Sequence, residues 1–272
     1  MGYIHSFLSD FSRYYCAWFG FRYCRLIAPL PFGLVLKWSD GTNLDEVRSM
    51  AAIRTARIPA PKVVSVGEHP ERPWASVSIL MTRLPGNEFE DVYDELEATQ
   101  RETIITELRT ILDAMRTWKS PWGQRICSIS GSSIRSTRVP DHKFGPCESE
   151  QEFNDYLISA ASSHAFKTQK EFEAKIATAR EINSMHHRVV FTHGDLALHN
   201  VMVHDGHISG FIDWECAGWY PDYWEFTTPL RWPSRDHEGG ALFMRLGGNR
   251  YKEELEAERA LKSLTVDSWI AI

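Results

Sequence analysis

The sequence predicts an α+β chain of two lobes, a small β-rich one over residues 1–84 and a larger, mainly helical one over residues 85–272. Three observations carry this. Between residues 25 and 82, short apolar runs alternate with Pro- and Gly-containing turns, as strands and their connections do. Leu84-Pro85-Gly86 then breaks the pattern. Over residues 98–118 the apolar residues Ile104, Leu108, Ile111, Leu112 and Met115 recur on one helical face.

The elements follow in order. Residues 7–25 are crowded with aromatics, and Phe7, Phe11, Tyr14 and Trp18 recur at helical spacing. This predicts a helix that buries its aromatic face on the small lobe. The same composition suits a membrane surface, and Met1-Gly2 with Ser6 matches the myristoylation pattern. The expectation is a packed helix with an ordinary N-terminus and no membrane association. Residues 25–38 read as a β-hairpin turning at Pro31-Phe32-Gly33 and ending near Lys37. Residues 45–55 are helix-forming, with Asn43 or Asp45 as the N-cap, and Pro59 and Pro61 end that run. Residues 62–67 and 75–82 read as two more strands. Beyond the 98–118 helix, residues 119–148 are rich in Ser, Gly and Pro and show no period, and long connections of this kind are often functional. Ser149 caps a helix over residues 149–161, with Glu152 as capping-box partner. Further helices are expected over residues 167–186 and 236–264, the last interrupted at Gly247-Gly248.

Composition narrows the function. Of 272 residues, 43% are hydrophobic and 24% charged, as in an ordinary soluble protein. The net charge of −6 gives no support to a nucleic-acid partner and suits a neutral or cationic small-molecule substrate. Cys16, Cys24, Cys127, Cys147 and Cys216 are scattered and lack metal-ligand spacing, so they read as reduced thiols in a cytoplasmic protein. Asp10 and Arg13 interrupt the first apolar run too early for a signal peptide, and no uncharged stretch is long enough to span a bilayer.

The chemistry concentrates between residues 189 and 225. A strand-like run leads into His193-Gly194-Asp195, with Asn200 five residues on. A second run leads into Ile212-Asp213-Trp214-Glu215, and a turn at Asp205-Gly206 joins the two. Transfer of a phosphoryl group to an alcohol needs an acceptor for the hydroxyl proton and ligands for magnesium. Asp195 suits the first task. Asn200 and Asp213 suit the second, with Glu215 either binding a further ion or fixing the loop. His193 is placed to brace the loop by hydrogen bonds.

These two clusters, in this order, resemble the catalytic and metal loops of the aminoglycoside phosphotransferase and choline kinase family, whose members have a bilobal, protein-kinase-like fold. The run from Ala217 to Glu225, AGWYPDYWE, looks like the branch common in filamentous fungi. The resemblance covers residues 25–264. It implies that Lys37 contacts the nucleotide phosphates, that Glu46 pairs with it, and that the backbone around Met81 and Arg83 reads the adenine edge. ATP and Mg²⁺ are the implied cofactors, and the implied activity is phosphoryl transfer to a hydroxyl of a small molecule. One departure stands out: no G-x-G-x-x-G precedes Lys37, and the aromatic segment occupies the place of the first strand and its glycine loop. This keeps an alternative open, a kinase-fold enzyme or binding protein of secondary metabolism that binds a small molecule, or cyclises or rearranges it by acid–base chemistry, without transferring phosphate. A third reading is an interaction protein that uses the aromatic N-terminus.

Overall fold

The opening helix, α1 (Gly2–Phe19), forms where the aromatic spacing predicts it but faces the other way. In the computed structural model, which describes residues 1–139, 142–230 and 237–265, α1 buries Gly2, His5, Ser12 and Cys16. Phe7, Phe11, Tyr14 and Trp18 lie on its exposed side, so the expected burial of the aromatic face is overturned. The reason is close approach. A Cβ on Gly2 would sit 2.1 Å from the Glu68 carbonyl oxygen, so no larger residue fits there. The buried polar groups are also paired: His5 meets Ser78 Oγ at 2.7 Å and Ser65 Oγ at 2.8 Å, and the Ser12 hydroxyl donates to the Pro29 carbonyl at 2.6 Å. Those bonds remove the penalty of burying polar atoms. Helical period fixes that a helix forms, and both of its stripes share that period.

The sheet beneath α1 starts with the predicted hairpin, β1 (Ile27–Leu30) and β2 (Leu34–Lys37). Its turn places Phe32 and Gly33 at φ 62° and 68°. Helix α2 (Leu44–Thr55) follows, and the Asn43 side chain caps it by accepting from the Glu46 N–H. Then come β3 (Val63–Glu68) and β4 (Val77–Thr82). The four strands are antiparallel in the order β1-β2-β4-β3.

Next along the chain are β5 (Asn87–Glu88), the short α3 (Phe89–Val92) and α4 (Ala98–Met115), which ends a few residues before the predicted 118. The 119–148 connection, of which residues 140 and 141 lie outside the described residues, is not shapeless. It carries β6 (Cys127–Ser128), β7 (Ile134–Arg135) and β8 (Lys143–Phe144), strands too short for a sequence period to reveal. Ser149 caps α5 (Glu150–Ser159) as expected, while the Glu152 carboxylate accepts from the Glu148 N–H. Helix α6 (Gln169–Arg180) is followed by a 3₁₀ turn to Ser184 in place of a continuous helix to 186.

Two hairpin-like pairings complete the chain. Strand β9 (Val189–Thr192) precedes β10 (Val201–His204) and β11 (His207–Phe211), which pair with each other around the Asp205-Gly206 turn. Strand β12 (Gly218–Pro221) pairs antiparallel with β9 on one side and β6 on the other. Helices α7 (Trp224–Leu230), α8 (His237–Leu246) and α9 (Lys252–Leu264) follow. The break at Gly247-Gly248 is present, and Asp236 of the predicted tail lies outside the described residues.

The backbone clusters into two compact units. One comprises Met1–Ile104 with His199–Glu215, and the other comprises Ile105–Leu198 with the described residues from Cys216 on. The core of the second is aromatic: Phe153 meets Phe144 and Trp224 at 5.0 Å between ring centroids, and Tyr220 stacks on Trp224 at 5.2 Å. The Arg138 guanidinium lies over Trp224 and pairs with Glu258. All five cysteines are free thiols. Among the described residues, no helix is long and apolar enough to cross a membrane.

Candidate active site

In the first unit, Lys37 closes β2 and is almost wholly buried, and three carboxylates converge on it. Its Nζ donates to Glu46 Oε1 at 2.8 Å, Asp213 Oδ1 at 2.5 Å and Glu215 Oε2 at 2.9 Å. Local folding explains each partner. The Asn43 cap fixes the first turn of α2 and with it Glu46. The β10–β11 hairpin returns the chain so that the Ile212 N–H donates to the Asn200 carbonyl at 3.0 Å. Asn200 therefore lies beside the residue that precedes Asp213. Asp213 itself is left-handed at φ 63°, a conformation uncommon outside glycine and concentrated at functional sites. The buried Trp214, whose indole N–H reaches the Phe211 carbonyl at 2.9 Å, anchors the loop that carries Asp213 and Glu215.

The charges do not balance, and the ionisation equilibria record it. Burial alone would lower the pKa of Lys37, yet Glu46, Asp213 and Glu215 together hold it well above the ordinary lysine range. Glu46 is pushed up to about 7, first by burial and then by the two other carboxylates, with Lys37 opposing. Glu46 Oε2 is buried without a hydrogen-bond partner. A carboxylate cluster that opens to solvent at Asp213, whose side chain is 42% exposed, can take a cation. Among the described residues there is no preformed cluster of three or more acidic, His or Cys ligands. Magnesium seldom asks for one, since it takes one or two protein ligands and completes its shell with phosphate and water. Asn200 and Asp213 match that requirement.

The residues proposed for adenine recognition sit at the end of β4. Met81 is buried between Val35 of β2 and Val63 of β3. The Arg83 N–H is committed to the Gly33 carbonyl at 2.7 Å, which leaves its carbonyl and its exposed side chain for any base edge.

In the second unit, β9 delivers His193, Gly194 and Asp195. The His193 N–H donates to Glu225 Oε2 at 2.6 Å and the Gly194 N–H to Glu225 Oε1 at 3.3 Å. Gly194 has φ 83°, and a Cβ there would run into the Cys216 carbonyl oxygen, so the loop passes the Cys216 backbone only with glycine. Glu225 is fully buried. Burial lifts it to about 7, against the two backbone donors and Arg116, and Asp195 adds to the lift. Asp195 is half-buried and His193 buried.

Sequence reasoning thus reached Lys37, Glu46, Asp213 and Glu215, which the fold brings together, and Asn200, which it sets alongside. It missed two residues. Glu225 holds the loop before Asp195 by its backbone from 31 and 32 positions away, and no local pattern marked it. Gly41 lies where a Cβ would be 2.2 Å from Glu215 Oε1, so a bare backbone there admits the carboxylate to Lys37.

The fold is the protein-kinase-like one. It is similar to a thermostable mutant of aminoglycoside phosphotransferase APH(4)-Ia in its apo form, at 17% identity and TM-score 0.57 over 86% of this chain and 79% of that one. It is also similar to aminoglycoside 2′-phosphotransferase-IIIa in its GDP complex, at 10% identity and TM-score 0.58 over 88% and 77%. Aminoglycoside-3′-phosphotransferase of type VIII is matched at 17% identity and TM-score 0.52 over 85% and 84%. No curated protein sequence matches the chain. The sequence profile of the phosphotransferase enzyme family, APH, matches residues 27–261, and the chain belongs to that family.

Proposed function

We propose that the protein is an ATP- and Mg²⁺-dependent phosphotransferase whose acceptor is a hydroxyl of a small molecule, its lobes dividing near residue 84. The carrying observation is the convergence of Glu46, Asp213 and Glu215 on buried Lys37, with Asn200 one backbone hydrogen bond from the Asp213 loop. A related fold, that of an APH(4)-Ia mutant, has been seen with AMP-PNP and hygromycin B, which supports nucleotide use here.

In this reading Lys37, held by Glu46, meets the nucleotide phosphates and neutralises charge on them. Asn200 and Asp213 would hold a magnesium ion, which would supply charge neutralisation at the phosphate oxygens. Glu215, also on Lys37, keeps the loop that carries Asp213 against it. Asp195 accepts the proton of the substrate hydroxyl as its oxygen attacks the γ-phosphorus, and the bond to the bridging oxygen breaks to release ADP. His193 and Glu225 fix the backbone from which Asp195 projects. The backbone at Met81 and Arg83 borders the base.

Separate roles for the two aspartates give the test. Asp195→Asn should lower turnover by about 10²-fold or more while leaving nucleotide affinity nearly unchanged. Asp213→Ala should weaken nucleotide binding in magnesium as well. Equal loss of binding in both variants would refute the assignment. Retained binding with no turnover of any alcohol by the wild type would favour the non-transferring reading.

A further inference from the structure

The aromatic side of α1 is a large exposed apolar surface. Tyr3 is 95% exposed, Phe7 69%, Tyr14 66% and Trp18 86%. At 100° per residue these four fall on one narrow stripe, opposite the buried stripe of Gly2, His5, Ser12 and Cys16. The surface continues past the helix through Phe19 and Phe21, whose rings stack at 6.3 Å, and through exposed Leu26. Such a contiguous patch marks a docking surface.

Charge selects the occupant. The chain carries −6 overall, yet residues 1–27 hold three arginines, Arg13, Arg22 and Arg25, against one acid, Asp10. All four are exposed. Aromatic rings standing out from a helix, with arginines beside them, form the composition that settles at the boundary between lipid headgroups and acyl chains. The arginines add attraction for anionic headgroups. An acidic chain with a basic, aromatic N-terminal segment approaches such a membrane in one orientation.

We propose that α1 and the turn after it bind the surface of an anionic phospholipid bilayer, with Tyr3, Phe7, Tyr14 and Trp18 entering the interface and Arg22 and Arg25 meeting headgroups. The helix lies on the membrane and does not cross it. This rests on the surface of the first unit and is independent of phosphoryl transfer.

The test is co-sedimentation of the full chain with vesicles of pure phosphatidylcholine and of a phosphatidylcholine–phosphatidylserine mixture. The wild type should bind the mixed vesicles, and high salt should weaken that binding. The triple variant Phe7→Gln/Tyr14→Gln/Trp18→Gln should bind at least about tenfold more weakly with its melting temperature kept, since the replaced rings are exposed. Arg22→Gln/Arg25→Gln should lose affinity for the mixed vesicles and little for pure phosphatidylcholine. No binding by the wild type, undiminished binding by either variant, or self-association through the same three rings in ultracentrifugation would each overturn the proposal.

Discussion

Glu225 shows how a buried carboxyl can hold the loop that leads to Asp195. It accepts two backbone N–H groups and has no solvent of its own, so its ionised form is disfavoured. Its pKa rises from the model-peptide value of 4.5 to about 7. A raised folded-state pKa stabilises the protein fully below the unfolded value, and that contribution is lost as the pH rises from 4.5 through about 7. Glu225→Gln keeps an acceptor and removes the ionisation. Its melting temperature relative to wild type should therefore improve between pH 5 and pH 8. A difference that is flat with pH, or that worsens, would show that Glu225 is ionised without penalty. The residues that sequence did reveal, Asp195, Asn200 and Asp213, belong to short local patterns. Glu225 and Gly41 were hidden because their roles depend on partners far along the chain, His193 and Glu215, which no local pattern names.

Among the elements, α1 separates what a period can tell from what it cannot. The spacing of Phe7, Phe11, Tyr14 and Trp18 correctly predicted a helix. It could not choose the buried stripe, because Gly2, His5, Ser12 and Cys16 repeat with the same period. The choice fell to close backbone approach and to the serines that pair with His5. His5→Ala should consequently destabilise the protein by about 1–3 kcal/mol, by leaving Ser65 and Ser78 without that partner. Phe7→Ala, on the open side, should stay within about 0.5 kcal/mol. Chemical denaturation of the two variants decides it, and the reverse order would restore the aromatic-in helix. The 119–148 connection was illegible for a different reason, since strands of two residues leave no alternation to read. Gly41→Ala tests the loop before α2: the added methyl should push Glu215 off Lys37 and lower nucleotide affinity, measured by calorimetry.

For the protein as one entity, the strands of the first sheet, the hairpins and most helix positions were legible because caps, prolines and turn residues punctuate them, while the strand order came only with the structure. The glycine loop expected of a kinase is replaced by a three-residue turn at Pro31-Phe32-Gly33 and by α1. On the proposed reading, phosphate binding depends on Lys37 and its carboxylates and on a magnesium ion. The account stands or falls on one measurement, the thermal shift of the wild type with magnesium and nucleotide. Ligand at about 100 times its dissociation constant should add roughly 2.7 kcal/mol, a rise in melting temperature of about 5 °C or more, lost in Asp213→Ala. No shift with ATP, ADP or GTP in the presence of magnesium would contradict it.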